Sequence, residues 1–150
     1  MTETTLYWDD LAPGFRREGG AFRFDEAAIK RFAAEFDPRP THLDDDAARA
    51  SLFQGLSASG AHTFAAWARL YWEQTRDWAT QAGSRVSDLR FLRPVRPGCV
   101  LALRLEIVGK RAHPFRGGRF GFLALENTLV DAAGRRVFAI AFDTMIERRP

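Results

Sequence analysis

The sequence predicts an α+β domain in which an antiparallel β-sheet wraps around one long helix. Two observations carry that prediction. From Ala61 to Trp72 nearly every residue is apolar or small, Arg69 being the main exception, as in a helix buried on most of its sides. From residue 84 onward the chain changes to strand-type composition and period-two alternation, in four segments: "SRVSDLRFL", "CVLALRLEIVGKR", "RFGFLALENTLVD" and "RRVFAIAFDTMIER".

The elements follow in order. "GGAFRF" reads as a strand and "DEAAIKRFAAEF" follows it as a helix. Asp25 suits the N-cap, where a short acidic side chain accepts from an orphan backbone N–H, and Phe24 with Ile29 has the spacing of a hydrophobic staple. Ile29, Phe32, Ala33 and Phe36 recur every three or four residues, an apolar stripe expected to face the rest of the fold. Pro38 and Pro40 fix their own φ and bias Asp37 and Arg39 away from helix, so the helix delivers Asp37 at its end and a stiff loop follows. "DDDAARASLF" can restart as a short helix with Asp44 as its cap. Ser57, Ala58, Ser59, Gly60 and Ala61 open the long helix; such small residues let a ligand approach the backbone, with free N–H groups at the helix N-terminus. In the strands, Leu101, Leu103, Leu105 and Ile107 share one face, as do Phe138, Ile140, Phe142, Thr144 and Ile146, and "DAAGR" joins the last two as a hairpin turn.

Composition narrows the function classes. A chain of 150 residues with 46% apolar residues and 13 phenylalanines can bury its own core, and its length matches one domain spanning 1–150. It has no run of 18 apolar residues, and "MTETTLYWDD" lacks the basic and apolar regions of a signal peptide, so the expected setting is cytoplasmic, with no membrane partner. Cys99 is the only cysteine, which excludes an intramolecular disulfide and a thiolate metal cluster within one chain; it reads as a small residue near a strand start. The net charge of +3 comes mostly from arginine. These arginines are scattered and lack the aromatic and basic signature of a nucleic-acid module, so no nucleic acid is expected as a partner; a phosphate-bearing small molecule or plain solubility accounts for the excess. His42, His62 and His113 show no i,i+4 pairing, and no metal site is expected. His62 reads as a structural helix residue and His113, in "RAHPFRGG", as a solvated one.

The stretch "FDPRPTHLDDD" presents Asp37 and His42 from a segment stiffened by two prolines. On its own this is a helix-terminating turn. Two further blocks change the reading. "FAAEFDPRPTHLD", "SLFQGLSASGAHT" and "DLRFLRPVRPGCVLALRLEI" together resemble the MaoC-like dehydratases, hotdog-fold enzymes that include the R-specific enoyl-CoA hydratases. The matching positions are Asp37, His42, Leu43 and Asp44, then Ser59 and Gly60, then Phe91, Pro94, Val95, Pro97 and Gly98, and the likeness runs from "DLAPGF" to the C-terminus. The chain departs from the commoner pattern in four places: Asp-Pro-Arg-Pro-Thr-His replaces a loop of the type D-F-N-P-x-H, Ser59-Gly60 stands where His-Gly often stands, Thr63, Phe64 and Ala65 stand where some R-specific hydratases have a serine about one helical turn past that glycine, and the strand motif ends in Gly98-Cys99.

The resemblance implies a hotdog fold and an acyl-CoA hydratase or dehydratase acting on a trans-2-enoyl-CoA or its 3-hydroxyacyl counterpart. It assigns Asp37 and His42 to a catalytic dyad that holds the water, and the Gly60 N–H, with Ala61 and Ser59 beside it, to the oxyanion and substrate-binding site. Hydration needs a base for the water, a proton for the α-carbon and a donor for the thioester oxygen, which this set would supply. Groups that share one water must be held at fixed separation, which gives the two prolines a purpose. No cofactor is implied beyond the coenzyme A of the substrate, and a homodimer or dimer of dimers is the expected assembly. Arg85, Arg90, Arg93, Arg96, Arg111, Arg116 and Arg119 are candidates for the coenzyme A phosphates, each also accounted for as a surface residue. Trp67, Tyr71 and Trp72 are read as helix core before tunnel lining. Two alternatives stay open on the same fold: a non-catalytic acyl-binding or partner subunit, and an acyl-CoA thioesterase.

Overall fold

The computed structural model describes residues 4–114 and 118–150. Its elements are β1 (Arg16–Arg23), α1 (Glu26–Phe36), α2 (Pro40–Leu43), α3 (Asp45–Arg49), α4 (Gly60–Thr75), β2 (Thr80–Phe91), β3 (Val100–Ala112), β4 (Phe120–Val130) and β5 (Arg136–Glu147). The strands form an antiparallel sheet in the order β1-β3-β4-β5-β2, so β1 and β2 are its edges. This is the predicted sequence of elements, with two additions, a 3-10 turn at Trp8–Asp10 before β1 and the single turn α2.

Period-two alternation sets which side of the sheet is dry. Leu101, Leu103, Leu105 and Ile107 of β3 point inward and are buried, as are Phe138, Ile140, Phe142, Thr144 and Ile146 of β5. Each large side chain buried in this way contributes roughly 1.5–3 kcal/mol. The inward face of β4 includes a polar residue, Asn127, which is satisfied from the helix: its amide oxygen accepts from the Trp67 indole N–H at 3.0 Å. Leu70 of α4 packs against β1 at Gly20, whose φ is +81° and where a Cβ would fall 2.5 Å from Leu70 Cδ2; the register of β1 shifts at this point. The "DAAGR" turn forms as expected, with Asp131 accepting from the Ala133 and Arg135 N–H groups.

Three expectations about exposure are corrected. Phe36 belongs to the apolar stripe of α1 by spacing but is 63% exposed; the last turn of α1 runs past the edge of the core, and Phe36 touches the ring of Phe32 instead. The apolar helix α4 is covered on one side only: His62, Thr63, Ala66, Trp67, Leu70 and Thr75 are buried, whereas Ala61, Ala65, Ala68 and Trp72 share an open face. Trp72 is therefore not core. His113 is half-buried and stacks on Phe122. The edge strand β2 is exposed along nearly its whole length, including Val86 and Phe91. No helix among the described residues is long and apolar enough to cross a membrane.

Candidate active site

Helix α1 starts on the Asp25 cap, which accepts from the Ala28 N–H at 2.7 Å, and it ends on Asp37, whose N–H still bonds the Ala33 carbonyl at 2.9 Å. Pro38 stops it there. Pro40 then takes the first position of α2, where its missing N–H costs nothing and its preset φ suits a helix. The stiffness expected of this loop takes the form of one helical turn, and His42 is its third residue. The next cap is Asp44, accepting from the Ala47 N–H at 2.7 Å to begin α3.

These local rules bring three of the sequence-predicted residues together. His42 Nδ1 lies 2.7 Å from the Ser57 carbonyl oxygen. A carbonyl only accepts, so Nδ1 carries the proton, and in the neutral ring Nε2 is a lone pair. That lone pair faces Asp37 Oδ2 at 3.5 Å. Ser59 Oγ donates to the same Oδ2 at 2.7 Å and accepts from the Ala61 N–H at 3.2 Å, capping α4. The Asp37 and His42 side chains are 18% and 8% exposed. With the ring neutral, both groups can accept from one water or hydroxyl held between them.

Gly60 and Ala61 separate at this point. The Ala61 N–H is occupied by Ser59, and the His62 and Thr63 N–H groups bond the Ser59 carbonyl. The Gly60 N–H has no hydrogen-bond partner among the described residues and sits at the positive end of α4. The ring of Phe91 explains why glycine stands here: a Cβ at position 60 would lie 2.9 Å from Phe91 Cζ. Gly60, His42, Thr63, Phe91 and Val95 line one cleft of about 470 Å³.

Arg96, a phosphate candidate by sequence, holds the loop before α4 instead. Its guanidinium donates to the carbonyls of Phe53, Gly55 and Leu56. Arg90, Arg111 and Arg119 pair with Asp88, Asp143 and Glu147. Arg116 lies outside the described residues. His62 is buried among Phe22, Phe24 and Phe32, stacked on Phe32 at 4.5 Å, and burial pushes its pKa below the ordinary histidine value against an opposing pull from Asp25. Sequence reasoning missed the Ser57 carbonyl, the Arg96 clamp and the Phe91 ring; none has a local signal, because each acts across 15 or more residues of chain.

The profile of the MaoC-like domain family matches residues 11–117, more than half of the chain. The chain belongs to this family. Its fold is matched over a longer span than the profile covers. The MaoC-like dehydratase from Rhodospirillum rubrum superposes on this MaoC-like domain with a TM-score of 0.90 and 35% identity, over 97% of this chain and 99% of that one. A Mycobacterium tuberculosis protein with a double hotdog fold gives 0.82 and 25% identity, over 97% of this chain and 45% of that one. The R-hydratase PhaJ1 from Pseudomonas aeruginosa gives 0.69 and 22%, over 97% and 88%. The MaoC-like domain is thus a hotdog fold, as the resemblance implied.

Proposed function

We propose that the chain is an acyl-CoA hydratase or dehydratase, adding water to a trans-2-enoyl-CoA or removing it from the 3-hydroxyacyl thioester. The observation that carries the reading is the pair of acceptors, Asp37 Oδ2 and His42 Nε2, 3.5 Å apart beside the cleft that Gly60 also lines. Family membership and the likeness to a MaoC-like dehydratase support it. A water held by both acceptors gives one proton to the dyad as its oxygen adds to C3. The π electrons move onto the thioester oxygen, where the Gly60 N–H stabilises the developing charge, and C2 then takes the proton back from the dyad as the carbonyl reforms. No cofactor takes part other than the coenzyme A of the substrate, and the proposed setting is the cytoplasm. The proposed assembly is a homodimer, or a dimer of such dimers, paired along β2. The exposed edge with Val86, Phe91 and Leu92 and the open α4 face with Trp72 support that pairing, as does a relative that carries two hotdog folds in one chain.

The test is the absorbance of conjugated enoyl-CoA substrates of several chain lengths, followed with wild type, Asp37→Asn and His42→Ala. Loss of the band with wild type, cut by at least ~100-fold in both folded variants, is the expected result. Release of free thiol identifies a thioesterase instead, and an unchanged band for every substrate overturns the hydratase reading.

A further inference from the structure

Arg39 stands inside the dyad loop, and the mechanism above gives it no part. Its backbone is pinned on both sides: the N–H donates to the Asp37 carbonyl at 2.8 Å and the carbonyl accepts from the His42 N–H at 2.9 Å. Its guanidinium Nε lies 3.4 Å from Asp37 Oδ1, and its side chain is 76% exposed. The two oxygens of Asp37 therefore serve different neighbours, Oδ2 facing Ser59 and His42 and Oδ1 facing Arg39. An ion pair this open to solvent contributes little to stability. Its larger consequence is a cation held next to the reacting atoms.

Arg39 lines the same cleft as His42 and Gly60, and the other charged residue of that lining is also an arginine, Arg93. A coenzyme A arm lying extended carries its phosphates away from Arg39, and a phosphate meets that residue only if the arm folds back. About a dozen bonds separate the thioester sulfur from the nearest phosphate, roughly 15 Å of extended chain. Arg39 instead contacts the carboxylate that faces the proposed water site. With the arm extended and the thioester oxygen at Gly60, an anion that meets Arg39 belongs to the acyl group.

We infer that the acyl group carries a carboxylate close to the reacting double bond and that Arg39 binds it, so that the substrate class is a short carboxylated enoyl thioester or its hydrated form. The inference rests on the thioester reading given above. With Nε turned toward Asp37, the terminal Nη edge of the guanidinium remains to take both oxygens of a second carboxylate, a fork that lysine does not offer.

Calorimetric titration with two unreactive thioesters of equal chain length, succinyl-CoA and butyryl-CoA, tests this without requiring turnover. Coenzyme A is common to both, so its own contacts cancel. Wild type is expected to bind succinyl-CoA at least ~10-fold more tightly, with Arg39→Gln bringing the two within about threefold and Arg39→Lys keeping part of the preference. Equal affinities in wild type, or a preference that survives in folded Arg39→Gln, overturn the inference. Failure of the hydratase reading shows separately, as no turnover of any enoyl-CoA, neutral or carboxylated, with the binding preference intact. If neither thioester binds, the inference falls, and the hydratase reading is decided by the turnover assay alone.

Discussion

Ser59 donates its hydroxyl proton to Asp37 Oδ2 at 2.7 Å, the same oxygen that faces His42, and so ties the start of α4 to the end of α1. One side chain thereby does two things: it caps the long helix through the Ala61 N–H and fixes the carboxylate. Ser59→Ala removes both. The cap is worth about 1 kcal/mol of stability. The expected kinetic result is a fall in kcat of about 10–100-fold with a smaller change in KM, because a misplaced acid-base group loses orientation more than binding. Ser59→Thr keeps the hydroxyl and is expected to restore most of the rate. A Ser59→Ala enzyme with wild-type kcat would remove Ser59 from the site.

Gly60 and Phe91 form a second coupled pair. Gly60→Ala puts a methyl group 2.9 Å from the Phe91 ring, a flexible side chain that lines the cleft and is not part of the buried core. The expected cost therefore falls on the cleft more than on stability, with kcat/KM down by about tenfold and an unfolding midpoint close to wild type. Phe91→Ala should relieve much of the loss in the double variant, and a double-mutant cycle on kcat/KM measures that coupling. Strict additivity would show that the alanine acts in some other way.

Much of this architecture is legible in the sequence because its causes are local. Inward faces of β3 and β5 follow from alternation, the start of α1 from the Asp25 cap, and the spacing of Asp37 and His42 from the loop itself. Turn α2, at four residues, is too short to show periodicity. The open face of α4 is hidden for a different reason: a helix apolar all round does not say which side the sheet covers, so Trp72 reads as core and is exposed. Arg96 is the clearest case. As one arginine among many it reads as a surface residue or a phosphate candidate, and only the packing of the Phe53–Leu56 loop beneath it gives it another use.

That use makes a prediction. Arg96 joins the strand motif to the loop that runs into Ser57, whose carbonyl orients His42. Arg96→Met leaves the carbonyls of Gly55 and Leu56 without their charged donor, at a cost of about 1–3 kcal/mol. Urea unfolding should show a lower midpoint with an unchanged slope. Activity should fall as well, since the same loop supports the histidine, whereas an unaltered midpoint would mean that the loop holds itself.

His62 links stability to pH. Burial among Phe22, Phe24 and Phe32 lowers its pKa in the folded state, with Asp25 opposing the shift, so below about pH 6.5 the unfolded chain takes up a proton at this position more readily than the folded one. Stability linked to this group is therefore full above the unfolded value and declines as pH falls through that value toward the folded one. His62→Leu replaces the ring with an apolar side chain that cannot titrate. Unfolding free energies of wild type and His62→Leu, measured from pH 7.5 to pH 5, should diverge on the acid side, the variant losing less stability than wild type. Other titrating groups act on both proteins and drop out of the difference. Parallel curves over that range would show that His62 protonates equally in the folded and unfolded states, and the dry aromatic enclosure would then have to admit a charge.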